Sequence, residues 1–353
     1  MKLRKTIALF LSVALLGGAL AACGNSSTPG TQNSQPVAES GAPETGKPET
    51  VKLNIGYMAN YGSLWSVITA REKGYFAEEG IEVTLTSFDS GPNIIAAMEN
   101  GSVNFGYIGD GAHKLCVQGN ATIIGLSHIS NGDAVIGGPN VKTIEDLKGK
   151  TVAYSSGTSS ETILTNTLHK AGLTMNDITA MDMDASAVVT AMLSNGVDAC
   201  AIWSPQTLTI LDQMEDATKL TDNMTFSDIS VSLASWIAMP NYLEENRDVA
   251  VRFMRALFKA MDYAAQEENY EEVSQWVANE LALDVNSILP QARADAKWLT
   301  GKEVVEGVAD GSVAGYYPLR EDFRVTSGRM TEEQKCPVSD YVDMDLMTEA
   351  GNY

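Results

Sequence analysis

Apolar side chains fall along this chain in short runs that alternate with segments apolar at every third or fourth position. Lys52 to Tyr57 (KLNIGY) reads as a strand, and Trp65, Val67, Ile68 and Ala70 mark a following helix. Turns at Gly74 and Gly80 precede a second strand, Ile81 to Phe88. Ile94 to Met98 opens a helix halted by Asn100-Gly101, and Val103 to Ile108 is a third strand. The order then recurs. Lys150 to Tyr154 is a strand; Ile163, Leu164 and Leu168 mark a helix that stops at Gly172. Ile178 to Met183 is a strand, Val188 to Leu193 a helix stopped by Asn195-Gly196, and Ala199 to Trp203 a strand.

The recurrence extends to residues. AMENGSVNFGYIGD (Ala97 to Asp110) aligns without a gap on AMLSNGVDACAIWS (Ala191 to Ser204), at a constant offset of 94. Strands alternating with helices predict parallel sheets with crossover helices, so two copies predict two similar Rossmann-like α/β lobes. Ligands in such sheets sit outside the carboxyl ends of the strands. That selects six loops: Met58–Ser63, Asp89–Asn93, Gly109–Ala112, Ser155–Ser160, Asp184–Ser186 and Trp203–Gln206. If the lobes face one another, the loops meet across one cleft. Ser227 to Met239 reads as a strand returning to the first lobe. Val249, Phe253, Leu257 and Met261 form a helical stripe in an acidic, largely helical remainder. The expected division is 51–137 and 239–353 for the first lobe and 138–238 for the second, with hinges near Ala134–Pro139 and Ser235–Pro240.

The start of the chain has another character. Lys2, Arg4 and Lys5 precede an apolar run, Ile7 to Leu20, of the length of a signal peptide's apolar segment. It ends in Leu20-Ala21-Ala22-Cys23, the pattern of a bacterial lipobox. Residues 1–22 are therefore expected to be a leader and Cys23 the lipidated first residue. Residues 23–50, rich in Ser, Thr, Pro, Gly, Asn and Gln, are expected to be a disordered tether. Together these imply a protein lipid-anchored on the extracytoplasmic face of the cell membrane.

The net charge of −21, from 24 Lys+Arg against 45 Asp+Glu, leaves no basic face for nucleic acid. Cys116, Cys200 and Cys336 show no CxxC spacing, and Cys200 reads as a small core residue. No catalytic constellation, metal set or cofactor motif stands out. The GxxxxGK[ST] pattern is absent.

The candidate chemistry lies in the loops. Ser156, Gly157, Thr158, Ser159 and Ser160 open a helix, whose first-turn amides and hydroxyls suit an anion. Gly109 and Asp110 end the third strand, where Asp110 caps a helix or accepts from a ligand donor. Trp203 and Ser204 end the equivalent strand, and Trp203 would wall an apolar tail. Asn60 and Tyr61 would close the opposite wall, with Ser90 and Gly91 beside them. No arginine lies in any of these loops, so an anion would rest on amides and hydroxyls. His113 and His128 read most simply as hydrogen-bonded structural histidines.

LNIGY, KGYFAEEGIEVT, SGPNIIAAMENGSVNFGYIGDG, IEDLKGKTVAYSSGTSSETIL, HKAGL and NGVDACAIWSP, across about residues 52 to 240, carry a resemblance. The chain resembles the substrate-binding proteins of ABC importers for sulfonates, taurine and nitrate, which share a domain type with thiamin-precursor binding proteins. The resemblance implies a type II periplasmic-binding fold: two lobes joined by two crossover strands, closing on a small organic anion. The implied partners are an ABC permease and its ATPase, with the receptor itself a monomer. IWSP and GTSS are most similar to the alkanesulfonate and taurine branch; Ser204 stands where an acidic residue is often found. Alternatives are nitrate or a pyrimidine thiamin precursor as ligand. A third is an enzyme like the thiamin-precursor synthases, whose cysteine-rich motif and cofactor lysine have no counterpart here.

Overall fold

A computed structural model describes residues 50–353 apart from 327 and 329. The expected leader, Cys23 and nearly all of the tether lie outside the described residues. The strands are β1 (Val51–Tyr57), β2 (Ile81–Ser87), β3 (Phe105–Ile108), β4 (Thr122–Ser130), β5 (Ala134–Gly137), β6 (Thr151–Tyr154), β7 (Thr179–Asp182), β8 (Ala199–Ile202), β9 (Thr218–Asp222), β10 (Leu233–Ala238) and β11 (Ala296–Trp298).

They form two sheets, ordered β11-β4-β10-β3-β1-β2 and β7-β6-β8-β5-β9. The repeat in the sequence is a repeat in topology. β2-β1-β3 and β7-β6-β8 are the same parallel arrangement. Adding 94 to the helix Gly91–Glu99 gives Ala185–Leu193, and adding it to β3 gives β8, with every boundary matched. Both helices stop the same way. Gly101 (φ +78°) and its counterpart Asn195 (φ 56°) take the left-handed conformation that ends a helix. Glycine and asparagine are the residues that adopt it with least strain.

β3 and β8 are buried at every position, each lying between two other strands of its sheet. The first sheet sits in one large apolar core, in which Phe105 stacks on Phe253 of the long helix Pro240–Ala264 at 4.4 Å. The second sheet has two smaller cores, one around Val188 and Ile202 and one around Leu164 and Val152. Cys200 is wholly buried in β8.

The change of sheet falls earlier than the divisions read from the sequence. β5 pairs antiparallel with β8 and β9, and β10 pairs antiparallel with β3 and β4. The chain thus crosses at residues 131–133 and 223–232, rather than at 137/138 and 238/239. Each half is completed by a strand that has just arrived from the other, and both strands fill equivalent places beside β3 and β8. Of the strand expected over 227–239, only Leu233–Ala238 pairs. The last third returns to the first sheet, adding β11 to its edge through β4. Among the described residues no helix is long and apolar enough to cross a membrane.

Candidate functional site

The strand ends of the two sheets meet around a cavity of about 650 Å³, counting its open mouth. Five of the six loops chosen from the sequence reach it; Asp184–Ser186 does not. The halves touch beside it. A Cβ placed on Gly111 would lie 2.0 Å from the Thr158 carbonyl carbon, so the two backbones are in direct contact. Lys114 pairs with Glu161 across the same seam at 3.5 Å. The Ser204 N–H donates to the Gly132 carbonyl at 3.0 Å, continuing the β5–β8 pairing within the second half.

Asn60, Gly91, Gly109, Asp110, Thr158, Ser159, Trp203 and Ser204 line the cavity. Tyr61, Ser90, Ser156, Gly157 and Ser160 do not, and for most of them local bonding explains why. Tyr61 is wholly buried, with its ring edge-on to Trp298 at 5.0 Å. Ser156 turns outward and donates to Asp182 at 2.6 Å. The Gly157 N–H donates to Glu161 at 2.7 Å. The Ser160 hydroxyl donates to the Ala201 carbonyl (2.7 Å) and accepts from the Ser155 N–H (2.9 Å). Thr158 donates to the Ser155 carbonyl at 2.7 Å and accepts from the Ser160 N–H at 3.2 Å. SSGTSS therefore spends much of its donor set on its own turn and on β8. Asn60 likewise uses its side-chain oxygen to cap the Ser63 N–H at 2.8 Å.

Asp110 lines the cavity but is held from behind. Arg320 Nε donates to its carboxylate at 2.5 Å, and Arg324 lies 3.5 Å from it, all three nearly fully buried. Both guanidinium groups also donate to the Asp110 carbonyl, at 3.0 and 2.9 Å. Against the cost of its burial, these charges hold the Asp110 carboxyl far below the usual carboxylate range. His113 is buried in the same knot, with Nδ1 3.0 Å from the Gly109 carbonyl and Nε2 2.9 Å from the Ser235 hydroxyl.

Several cavity residues carried no sequence signal that singled them out. Asp133 lies on the first crossing segment, 2% exposed, and accepts from Asn223 Nδ2 (2.9 Å) and the Ser232 hydroxyl (3.3 Å). Ser159, on the opposite half, lies near enough to favour the ionised form of Asp133, without a hydrogen bond of ordinary geometry. Asp295, Gln291 and Trp298 come from the last third, brought in by β11. His128 and Tyr107 complete an aromatic wall, with the His128 ring 4.7 Å from Trp298. Burial pushes the His128 imidazole down to about 3, so it is neutral. Burial pushes Asp133 up to about 6 and Asp295 up to about 7. Among the described residues no cluster of His, Cys, Asp and Glu is placed to hold a metal ion.

A carboxyl raised in the folded state favours folding in acid, and loses that contribution as pH rises through its folded value. For Asp295 that contribution is whole below about pH 4 and lost as pH rises through about 7. Asp295→Asn in the unliganded protein is therefore expected to raise Tm at pH 8 by roughly 5 °C relative to wild type. It should give much less at pH 5. Melting curves at the two pH values check this, and a gain confined to pH 5 would contradict it.

Two sheets of matching order, joined by two crossing segments and meeting at their strand ends around a cavity, define the periplasmic-binding fold. The chain belongs to the family described as NMT1/THI5 like, which matches residues 63–269. A protein of Brucella abortus classed as a binding protein is 31% identical over 308 residues, covering 87% of this chain and 94% of its own length. A protein of Bacillus subtilis named for binding aliphatic sulfonates is 27% identical over 234 residues, 63% of this chain and 68% of its own. The alkanesulfonate-binding protein of Xanthomonas axonopodis pv. citri, solved bound to MOPS, shares the fold with a TM-score of 0.65 at 21% identity, covering 84% of this chain and 99% of that one. These relatives are binding proteins rather than enzymes.

Proposed function

We propose that this chain is the solute-binding component of an ABC importer, held outside the cell membrane by lipid on Cys23, and that it closes its two halves on a small molecule. One observation carries the reading: loops from both halves converge on a single cavity, and the halves already touch at Gly111 and Thr158. The kinship supplies the solute classes to try first, namely alkanesulfonates, taurine and nitrate, with a pyrimidine as the alternative. The lipid anchor rests on the LAAC sequence, and Cys23→Ser should release the protein from the membrane fraction.

A melting-temperature screen of these solutes tests the receptor reading. A solute at a hundred times its Kd stabilises by about 2.7 kcal/mol, a shift that is easily read. The expected result is a stabilising solute recovered unchanged after incubation, whose effect falls in Trp203→Ala. A solute chemically altered on release would favour an enzyme instead. If no small molecule in a broad screen stabilises the chain, the receptor reading fails.

A further inference from the structure

Resting on the receptor reading, we infer that the solute presents a cationic nitrogen (an ammonium, amidinium or protonated amino-ring) to the carboxylates of Asp133 and Asp295, its flat or apolar body lying against Trp203, Trp298 and Tyr107. The charges around the cavity lead there. Among the described residues no lysine or arginine lines it. The loops at 58–62, 91–92, 158–159, 203–204 and 232–234 contribute no charged lining residue. The β3 loop brings Asp110, already matched by Arg320 and Arg324 on its far side. β4 brings the neutral His128, and the segment after it brings Asp133. The last third brings Asp295; Lys219, near enough to act on it, lies outside the lining and bonds Asp222 at 3.0 Å. Two carboxylates thus face the cavity, with only neutral donors on Asp133 and no bound cation partner.

The donors that would hold an anion are largely committed. The Gly157 N–H is taken by Glu161 and the Ser160 N–H by Thr158. Ser159 lines the cavity from the second half and lies near Asp133, whose ionised form it favours. The Ser204 hydroxyl, by contrast, is uncommitted. It is buried, lines the cavity beside Asp295, and completes no hydrogen bond of ordinary geometry. It is open to a donor or acceptor on a solute. A cation over a tryptophan or tyrosine face gains further from the ring quadrupole.

The carboxyls sit near 6 and 7 before a solute arrives. A cation favours their ionised forms, so its binding releases protons and strengthens as pH rises from 5 to 8. An anion favours the protonated forms, so its binding weakens over the same range.

The full chain is titrated with three sets of probes. The cations are benzamidine, phenethylamine and 4-aminopyridine; the neutral counterpart is benzamide; the anions are benzenesulfonate, propanesulfonate and nitrate. Calorimetry in two buffers of different ionisation enthalpy counts the protons. The expected result is binding by at least one cation with proton release, an affinity rising with pH, and a loss of about ten- to a hundred-fold in Asp295→Asn or Asp133→Asn. The pH profile of the wild type gives the answer even where a variant fails to fold. Cation binding unchanged in both variants, or no cation binding at all, overturns the inference. An anion that binds more tightly at pH 5, and is weakened by Trp203→Ala, overturns it while leaving the receptor reading standing. Failure of every solute in the broader screen would remove the receptor reading itself.

Discussion

Gly111→Ala is expected to weaken solute binding by about a hundred-fold while leaving each half folded. The added Cβ would lie 2.0 Å from the Thr158 carbonyl carbon and 2.1 Å from its oxygen. Backbone lies on both sides of the clash, so no side-chain rotation relieves it. Thr158 is fixed in turn by its bonds to Ser155 and Ser160 at the start of the helix Ser159–Lys170. The simplest relief is separation of the halves. Separation withdraws Ser159 from Asp133 and opens the walls of the cavity. Losing one or two buried, charge-assisted hydrogen bonds at about 1.5–3 kcal/mol each accounts for the expected factor. Calorimetry reads the affinity, and small-angle scattering should show a larger radius of gyration than wild type in the presence of solute. Wild-type affinity and compaction in the variant would show that this contact plays no part in closure.

Arg320→Met is expected to give the largest loss of stability. Removing one partner of a buried ion pair costs about 3–5 kcal/mol, because the remaining charge loses its compensation. In a chain of this size that lowers Tm by roughly 6–15 °C. Arg324 remains beside Asp110 and keeps the loss toward the lower end. The same guanidinium donates to the Asp110 carbonyl, so the variant also loosens the loop that carries Gly111. The double variant Asp110→Asn with Arg320→Met should recover nothing, since buried Arg324 then loses the Asp110 carboxylate as well. The pH dependence has a definite sign. The carboxyl of Asp110 is depressed in the fold, so its contribution is present above about pH 4 and is lost in stronger acid. A single variant as stable as wild type would mean that the network contributes nothing net.

The helices and strands of the two copies were readable because local signals specify them. The runs in β1, β2, β6 and β7, and the glycine or asparagine after each short helix, need no distant partner to be recognised. β5 (AVIG) and β10 (LASWIA) are different. Each is an apolar run that suits either sheet equally, and which sheet it joins depends on pairings many residues away. The cavity divides along the same line. Thr158, Ser159, Trp203 and Ser204 follow from the rule that ligands gather at strand ends. Asp133 needed the crossing point, and Asp295 and Trp298 needed a three-residue edge strand in a helical region. The hydroxyls of SSGTSS were visible, but not their direction. Ser160 bonds β8, and Ser159 lines the cavity near Asp133. That difference turns a loop suited to an anion into one that supports a carboxylate.

The most direct measurement is a crystal structure of the chain grown with the tightest solute from the screens. The account requires that solute between the two sheets, walled by Trp203, Trp298 and Tyr107, with a nitrogen within hydrogen-bond distance of Asp133 or Asp295 and with Gly111 against Thr158. A solute bound outside this cavity, or bound within it while the two halves stand apart, would contradict it.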